Sequence, residues 1–166
     1  MAVKFIDNSA KVKGALKDAA IKTLHEVSGE LITQTVRNTP NGHWFSRQKN
    51  AWTYKVDEGK LMSVVGNPLE ETLWTEFGTG EHALKGDGRK GYWVYVKDSS
   101  SGAKSMSPKS YTLEEAKRIV AMMRADGLDA HYTKGQKPKR PFFRAYTKLK
   151  PVFQKRFEEI VKGHMK

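Results

Sequence analysis

The sequence predicts an α+β domain, in which a long N-terminal helix and a C-terminal helix pack on an antiparallel β-sheet. Helical periodicity lies toward both ends of the chain, and strand patterns gather in its middle. Strands and helices that are segregated in this way favour helices on one face of an antiparallel sheet. The chain has 166 residues, a length typical of one domain. We therefore predict a single domain over residues 1–166, with residues 98–130 inserted in the sheet region as a loop, a helix and a strand.

The longest helical pattern runs from about Ser9 to Arg37. Its apolar and small residues recur at spacings of three and four, which predicts an amphipathic helix. Pro40 prevents its continuation, and Asn41 and Gly42 indicate a turn. The predicted apolar face consists of Val12, Leu16, Ala19, Ala20, Thr23, Leu24, Val27 and Leu31.

The middle of the chain predicts a hairpin and a further strand. Alternation over residues 52–56, a turn at 57–60 and an apolar run at 61–66 are typical of two paired strands. Residues 72–77 fit a short helix or a strand equally well. Residues 92–96 are aromatic or β-branched throughout, which predicts a strand.

The last third of the chain predicts a loop, a helix, a strand and a second helical region. Residues 98–110 have no apolar period, so we expect an exposed loop that becomes ordered only on assembly. Thr112 and Glu115 predict the capping box of a helix, and residues 128–133 fit a strand. The helical region that follows Pro141 should be split at Pro151, because proline suits the first turn of a new helix.

The net charge of +12 is concentrated near the C-terminus. Residues 134–166 contain eleven Lys and Arg against two Glu. Such a region attracts phosphate backbones, an acidic protein or anionic lipid headgroups. The candidate basic surface consists of Lys134, Lys137, Lys139, Arg140, Lys148 and Lys150.

The search for catalytic chemistry finds no complete constellation. The chain has no Cys, and its five His show no i, i+4 pair that would bind a metal ion from one helix. Glu70, Glu71 and Glu76 could form a metal-dependent nuclease cluster, but a structural or contact role is preferred. We therefore expect that the protein is not an enzyme and that it binds neither a metal ion nor a cofactor. The four tryptophans could stack on nucleic-acid bases, but packing in the core is preferred. They are Trp44, Trp52, Trp74 and Trp93.

Membrane insertion and secretion are not expected. No apolar run approaches the ~20 residues that span a bilayer. The N-terminal sequence lacks the apolar core and the cleavage site of a signal peptide. We expect a soluble protein made inside the cell.

Four segments in order along the chain, with Glu76-Phe77-Gly78-Thr79 in the second and Pro141-Phe142 in the last, resemble a tail-component family of long-tailed phages, typified by the tenth gene product of phage Hong Kong 97. The most specific pieces are Glu76-Phe77-Gly78-Thr79 and Pro141-Phe142. After the first helix, residues 39–44 keep only the Pro and the Gly of the family pattern. The matching segments are residues 65–69, 73–80, 86–95, and 134–138 together with 140–145.

The resemblance implies a structural virion protein at the head–tail junction, or neck, that completes the tail and joins it to the head. It further implies a homo-oligomeric ring, with six copies expected, between the connector or stopper and the tail terminator or tail tube. Contact with packaged DNA is compatible with the charge. The chain would be made in the bacterial cytoplasm and reside in the virion tail.

The interface candidates come mainly from the matching segments. Trp74, Glu76 and Phe77 either anchor a neighbouring protein or close the core, and the core is preferred for Phe77, with its ring turned inward. The alternative function is a small basic DNA-binding module of phage or mobile-element origin, and a third is a nuclease. The interface candidates are Trp74, Glu76, Phe77, Gly78, Thr79, Arg89, Trp93, Pro141, Phe142 and Arg144.

Overall fold

The structure, a computed structural model, describes residues 7–98, 102–105 and 108–164. It confirms the α+β class, with its strands in two antiparallel sheets. The elements are α1 (Ser9–Asn38), α2 (His43–Asn50), β1 (Thr53–Asp57), β2 (Met62–Gly66), α3 (Glu70–Phe77), a 3-10 turn (Gly80–His82), β3 (Trp93–Asp98), β4 (Gly102–Ser105), α4 (Leu113–Ala125), β5 (Ala130–Thr133) and α5 (Pro141–His164).

The chain divides into two compact units. The first contains residues 1–69 and 141–166, and the second contains residues 70–140. The prediction of a single domain over residues 1–166 stays a prediction.

The first unit is built on the contact between α1 and α5. Leu31 of α1 is buried with Ala145 and Leu149 of α5. The hairpin of β1 and β2 also contacts α1, and the hydroxyls of Ser28 and Ser63 lie 2.6 Å apart. The N-terminal end of the predicted apolar face does not reach this core, because Val12 is exposed.

Two local details of this unit differ from the sequence prediction. Helix α5 continues through Pro151, so the predicted split is wrong. Leu149 and Phe153 both belong to the cluster with Leu31, and this packing holds the helix together on either side of the proline. Helix α2 has a polar sequence without an apolar period, and its formation was not predicted.

The second unit contains a three-stranded sheet with the order β4-β3-β5. Val94 of β3 and Ala130 of β5 are buried with Ala116 and Val120 of α4. The predicted capping box is present, since Thr112 Oγ1 accepts from the N–H of Glu115. The segment 98–130 begins and ends at paired strands, with Val96 opposite Ala130.

The predicted exposed loop at residues 98–110 is wrong in part. Residues 102–105 form β4 and pair with residues 95–98 of β3. The bonds of an antiparallel ladder join backbone N–H and C=O groups, and such bonds leave no apolar period in the sequence. Residues 99–101 and 106–107 lie outside the described residues, and so does that part of the loop prediction.

Candidate functional site

Helix α3 resolves the ambiguous segment at residues 72–77, and its polarity is inverted. Leu73, Trp74 and Phe77 are 56%, 40% and 45% exposed, whereas Thr75 and Glu76 are 1% and 8% exposed. A surface helix normally turns its apolar side toward the core and its polar side toward water. The expectation that Phe77 closes the core is therefore wrong, and the burial of Glu76 favours a structural role over the contact role that the sequence left open beside it.

Backbone hydrogen bonds explain why the polar side of α3 faces inward. The hydroxyl of Thr75 donates to the carbonyl of Glu71 at 2.9 Å. The carbonyl oxygen of Thr75 accepts from the N–H of Lys139 at 2.8 Å. A buried threonine with these partners is satisfied locally, whereas the buried hydroxyl of Thr72 on the same side of α3 has no hydrogen-bond partner among the described residues.

The exposed side chains of α3 form one wall of an open cleft. The cleft has a volume of about 240 Å³, and Leu84 contributes to it from the following loop. Glu70, Lys85 and Asp87 supply charged groups to its lining. We call Leu73, Trp74, Phe77 and Leu84 the α3 apolar surface. It joins large apolar side chains with charged ones, as protein interfaces do.

The segment after α3 is held against residues 134–138. The N–H of Thr79 donates to the carbonyl of Gln136 at 2.9 Å, and the N–H of Gln136 donates to the hydroxyl of Thr79 at 2.9 Å. Gly78 has φ +74°, and a side chain there would lie 2.9 Å from the carbonyl oxygen of Gln136. Gly78 and Thr79 are therefore structural residues that fix the end of α3.

Glu81 is an electrostatic anchor of the same region. The backbone N–H of Gly91 donates to its carboxylate at 3.1 Å, and Lys134 lies 3.4 Å from it. The hydrogen bond from Gly91, aided by Lys134, lowers the pKa of Glu81 below its usual value. Lys134, one of the predicted basic surface residues, is thus already paired with a carboxylate.

The lowered pKa of Glu81 makes stability depend on pH. A carboxyl whose pKa is lowered by folding contributes its full stabilisation at pH values above its unfolded pKa of 4.5. This stabilisation is lost as the pH falls through the pKa of the folded protein. We expect the urea midpoint of the protein to fall more between about pH 5 and about pH 3 than that of Glu81→Gln. Glu26→Gln, which removes an exposed carboxyl of α1, should keep the full fall. Equal pH dependence in all three proteins would contradict the role of Glu81.

Two further interface candidates are engaged within the second unit. The guanidinium of Arg89 lies 5.0 Å from the ring centre of Trp93. Its Nε also donates to the hydroxyl of Ser110 at 3.2 Å. Trp93 is half-buried, and it packs close to Gly80. These contacts give Arg89 and Trp93 a structural role in the unit.

The candidates at the start of α5 divide into buried and exposed residues. Pro141 is buried, and Phe142 stacks on Trp52 with ring centres 5.3 Å apart. Arg144 is exposed. The core assignment of the tryptophans fails for Trp44, which is 53% exposed, as well as for Trp74.

The remaining basic candidates lie in two places. Lys137 and Lys139 are exposed, and Arg140 is half-buried in a left-handed conformation with φ +55°. Lys148 and Lys150 are exposed on α5. Lys155 is also exposed on α5. It was counted in the basic C-terminal region but left out of the candidate basic surface, although its helical spacing from Arg144 and Lys148 could have placed it there.

The three glutamates of α3 do not converge. Glu70 is exposed and Glu76 is buried. In the described part of the chain, no group of three or more His, Asp or Glu side chains is placed to hold a metal ion. Within the same residues, no helix combines the length and the apolar composition of a membrane span.

Comparison with known protein families, with curated protein sequences and with solved structures finds no match to this chain.

Proposed function

We propose that the chain is a structural protein of the neck of a long-tailed bacteriophage, where copies assemble into a ring that completes the tail and joins it to the head. The observation that carries this proposal is the inverted polarity of α3. Leu73, Trp74 and Phe77 are exposed, and they belong to the segment whose sequence resembles the phage tail-component family. Removing such apolar area from water contributes about 25 cal/mol per Å², against which stand the entropic and desolvation costs of association.

The wider distribution of apolar side chains supports an assembling protein. Among the described residues, eighteen large hydrophobic side chains are exposed, against seven hydrophobic residues that are buried. Large exposed apolar area on a folded chain is typical of interaction surfaces. The extended contacts of a ring would cover such area.

Exposed apolar residues also occur on the first unit. Tyr54, Met62 and Val64 lie on the hairpin, and Phe143 and Tyr146 lie on α5. Two different surfaces on each copy are what a head-to-tail contact requires, and repeated head-to-tail contacts that close make a ring. We propose six copies, with the connector or stopper on one side and the tail terminator or tube on the other. The protein would act in the virion without catalysis, after synthesis in the bacterial cytoplasm.

The test is the mass of the purified protein by light scattering at rising concentration. The wild-type protein should reach a discrete multiple of its monomer mass. The double variant Trp74→Ser, Phe77→Ser should need about 1000-fold more protein to assemble, because central aromatic residues of an interface each contribute about 2 kcal/mol and every 1.4 kcal/mol is about tenfold. Its thermal midpoint should stay close to that of the wild type, since both side chains are exposed.

The matched control is the double variant Met122→Ser, Leu128→Ser. These residues are exposed apolar side chains of the same unit, and they lie outside the α3 apolar surface. The control should assemble as the wild type does. A wild-type protein that stays monomeric at all concentrations, or a control that fails as badly as the α3 variant, would contradict the proposal.

The second candidate function is a small basic DNA-binding module of phage or mobile-element origin. The excess of basic residues after residue 134 favours it. Adding duplex DNA to the light-scattering experiment separates the two functions. Salt-dependent binding of DNA by a chain that never self-associates would favour the module over the ring.

A further inference from the structure

Helix α5 has one buried side and two chemically different exposed sides. Ala145 and Leu149 are buried against α1. Phe143, Tyr146 and Phe157 are exposed, and positions that are three and fourteen residues apart lie near one face of a helix. The exposed Lys150 lies on this side as well, seven residues after Phe143, and the exposed Val152 lies outside it.

The charged side carries Arg144, Lys148 and Lys155, which we call the basic stripe. All three are exposed. Their spacing of i, i+4 and i+11 places them on one face, because eleven residues make about three turns. The stripe is therefore about 16 Å long at 1.5 Å per residue.

Within the described residues, no ion pair joins a carboxylate to Arg144, Lys148 or Lys155. Lys148 donates to the side-chain amide oxygen of Gln34 at 3.4 Å, which is a neutral partner. Glu158 pairs instead with Lys162, at 3.9 Å. Arg156, which precedes the exposed end of the helix, takes Glu30 at 3.0 Å. Two acids near the stripe, Glu30 and Glu158, are thus paired with other cations. Glu159 is exposed four residues after Lys155 and forms no ion pair with it in the described part of the chain.

The separation of the basic stripe from the apolar side distinguishes between two kinds of partner. The centres of protein interfaces are depleted in lysine and enriched in aromatic residues. A stripe of two lysines and an arginine without an aromatic neighbour on its own face suits phosphate groups instead. Lysine and arginine contacts to phosphates position a protein on DNA without reading its sequence.

We propose that the basic stripe of α5 binds the phosphate backbone of duplex DNA, without preference for sequence. This inference rests on α5 alone and does not require the proposed ring. It assigns DNA contact to three residues rather than to the whole basic C-terminal region, where Lys134 is already paired with Glu81.

The test is the binding of a fluorescein-labelled duplex, measured by anisotropy at several salt concentrations. The triple variant Arg144→Gln, Lys148→Gln, Lys155→Gln should bind more weakly. The slope of log K against log salt should fall in magnitude by about 2 to 3, because each phosphate contact contributes about 0.9. A second duplex of unrelated sequence should give the same values.

The matched control is Lys22→Gln, Lys55→Gln, Lys117→Gln. It removes the same charge from three exposed lysines on other elements, and it should keep the wild-type slope within about half a unit. If the control lost as much of the salt slope as the stripe variant, the effect would come from net charge alone, and the proposal would be overturned. Polyglutamate that binds the stripe more tightly than the duplex does would overturn it in favour of an acidic protein partner.

Light scattering of the same variants separates this inference from the proposed function. The stripe variant should keep the wild-type mass. If it loses assembly instead, the stripe is a protein contact and the DNA proposal is overturned. If the wild-type protein assembles but does not bind the duplex, the DNA proposal fails while the ring stands.

Discussion

Gly80→Ala should destabilise the protein by about 3 kcal/mol. Gly80 has φ +58°, and a side chain there would collide with the carbonyl oxygen of Lys134 and lie 2.6 Å from the ring of Trp93. The left-handed conformation costs an alanine about 1–2 kcal/mol, and overpacking adds about 1–3 kcal/mol. Urea unfolding followed by circular dichroism measures the loss.

Gly86→Ala is the control for the conformational part of this loss. Gly86 has φ +72°, and its surroundings are open. This variant should lose only about 1 kcal/mol. If both variants lost the same amount, the close approach of residues 78–82 to residues 134–138 would contribute nothing to stability, contrary to the structure.

Leu149→Ala should destabilise the first unit by about 3 kcal/mol. Leu149 is 5% exposed and shares its cluster with two other buried hydrophobic residues, Leu31 and Ala145. Removing it leaves a cavity at the contact between α1 and α5, and a core this small has few neighbours that can move to fill the space. Urea unfolding and hydrogen exchange of α5 amides measure the effect.

Val152→Ala is the control on the same helix. Val152 is 43% exposed, and its truncation should change stability by about 0.5 kcal/mol or less. Because Leu149 and Val152 flank Pro151, the pair also tests the continuous α5. Similar losses in both variants would mean that α5 does not pack on α1 through the side of Leu149.

The sequence was most informative where local physics decides the structure. The apolar period over residues 9–37 and the capping residues Thr112 and Glu115 predicted α1 and α4, since helices depend on contacts three and four residues apart. Alternation and turn residues predicted the hairpin of β1 and β2. The polar segment of α2 carried neither signal and was missed.

The candidate site was predictable in location but not in orientation. The sequence singled out the segment from Leu73 to Thr79 as part of an interface, and that role stays a prediction. Which of its side chains face outward depends on the hydrogen bonds that Thr75 and Thr79 form with residues 136–139. Partners about sixty residues away leave no periodic signal in α3, so Phe77 was assigned to the core, and the role of Glu76 was left open between the core and a contact.

The sequence by itself determined the α+β class, the ends of most helices and strands, and the excess of positive charge near the C-terminus. The tertiary structure decided that α3 exposes its aromatic residues, that α5 continues through Pro151, and that residues 102–105 pair with β3. It also decided which cations stay unpaired, because Glu30 and Glu81 take Arg156 and Lys134 as partners. All of these outcomes depend on contacts between residues that are distant in the sequence. Such contacts form, and contribute to stability, only in the folded chain.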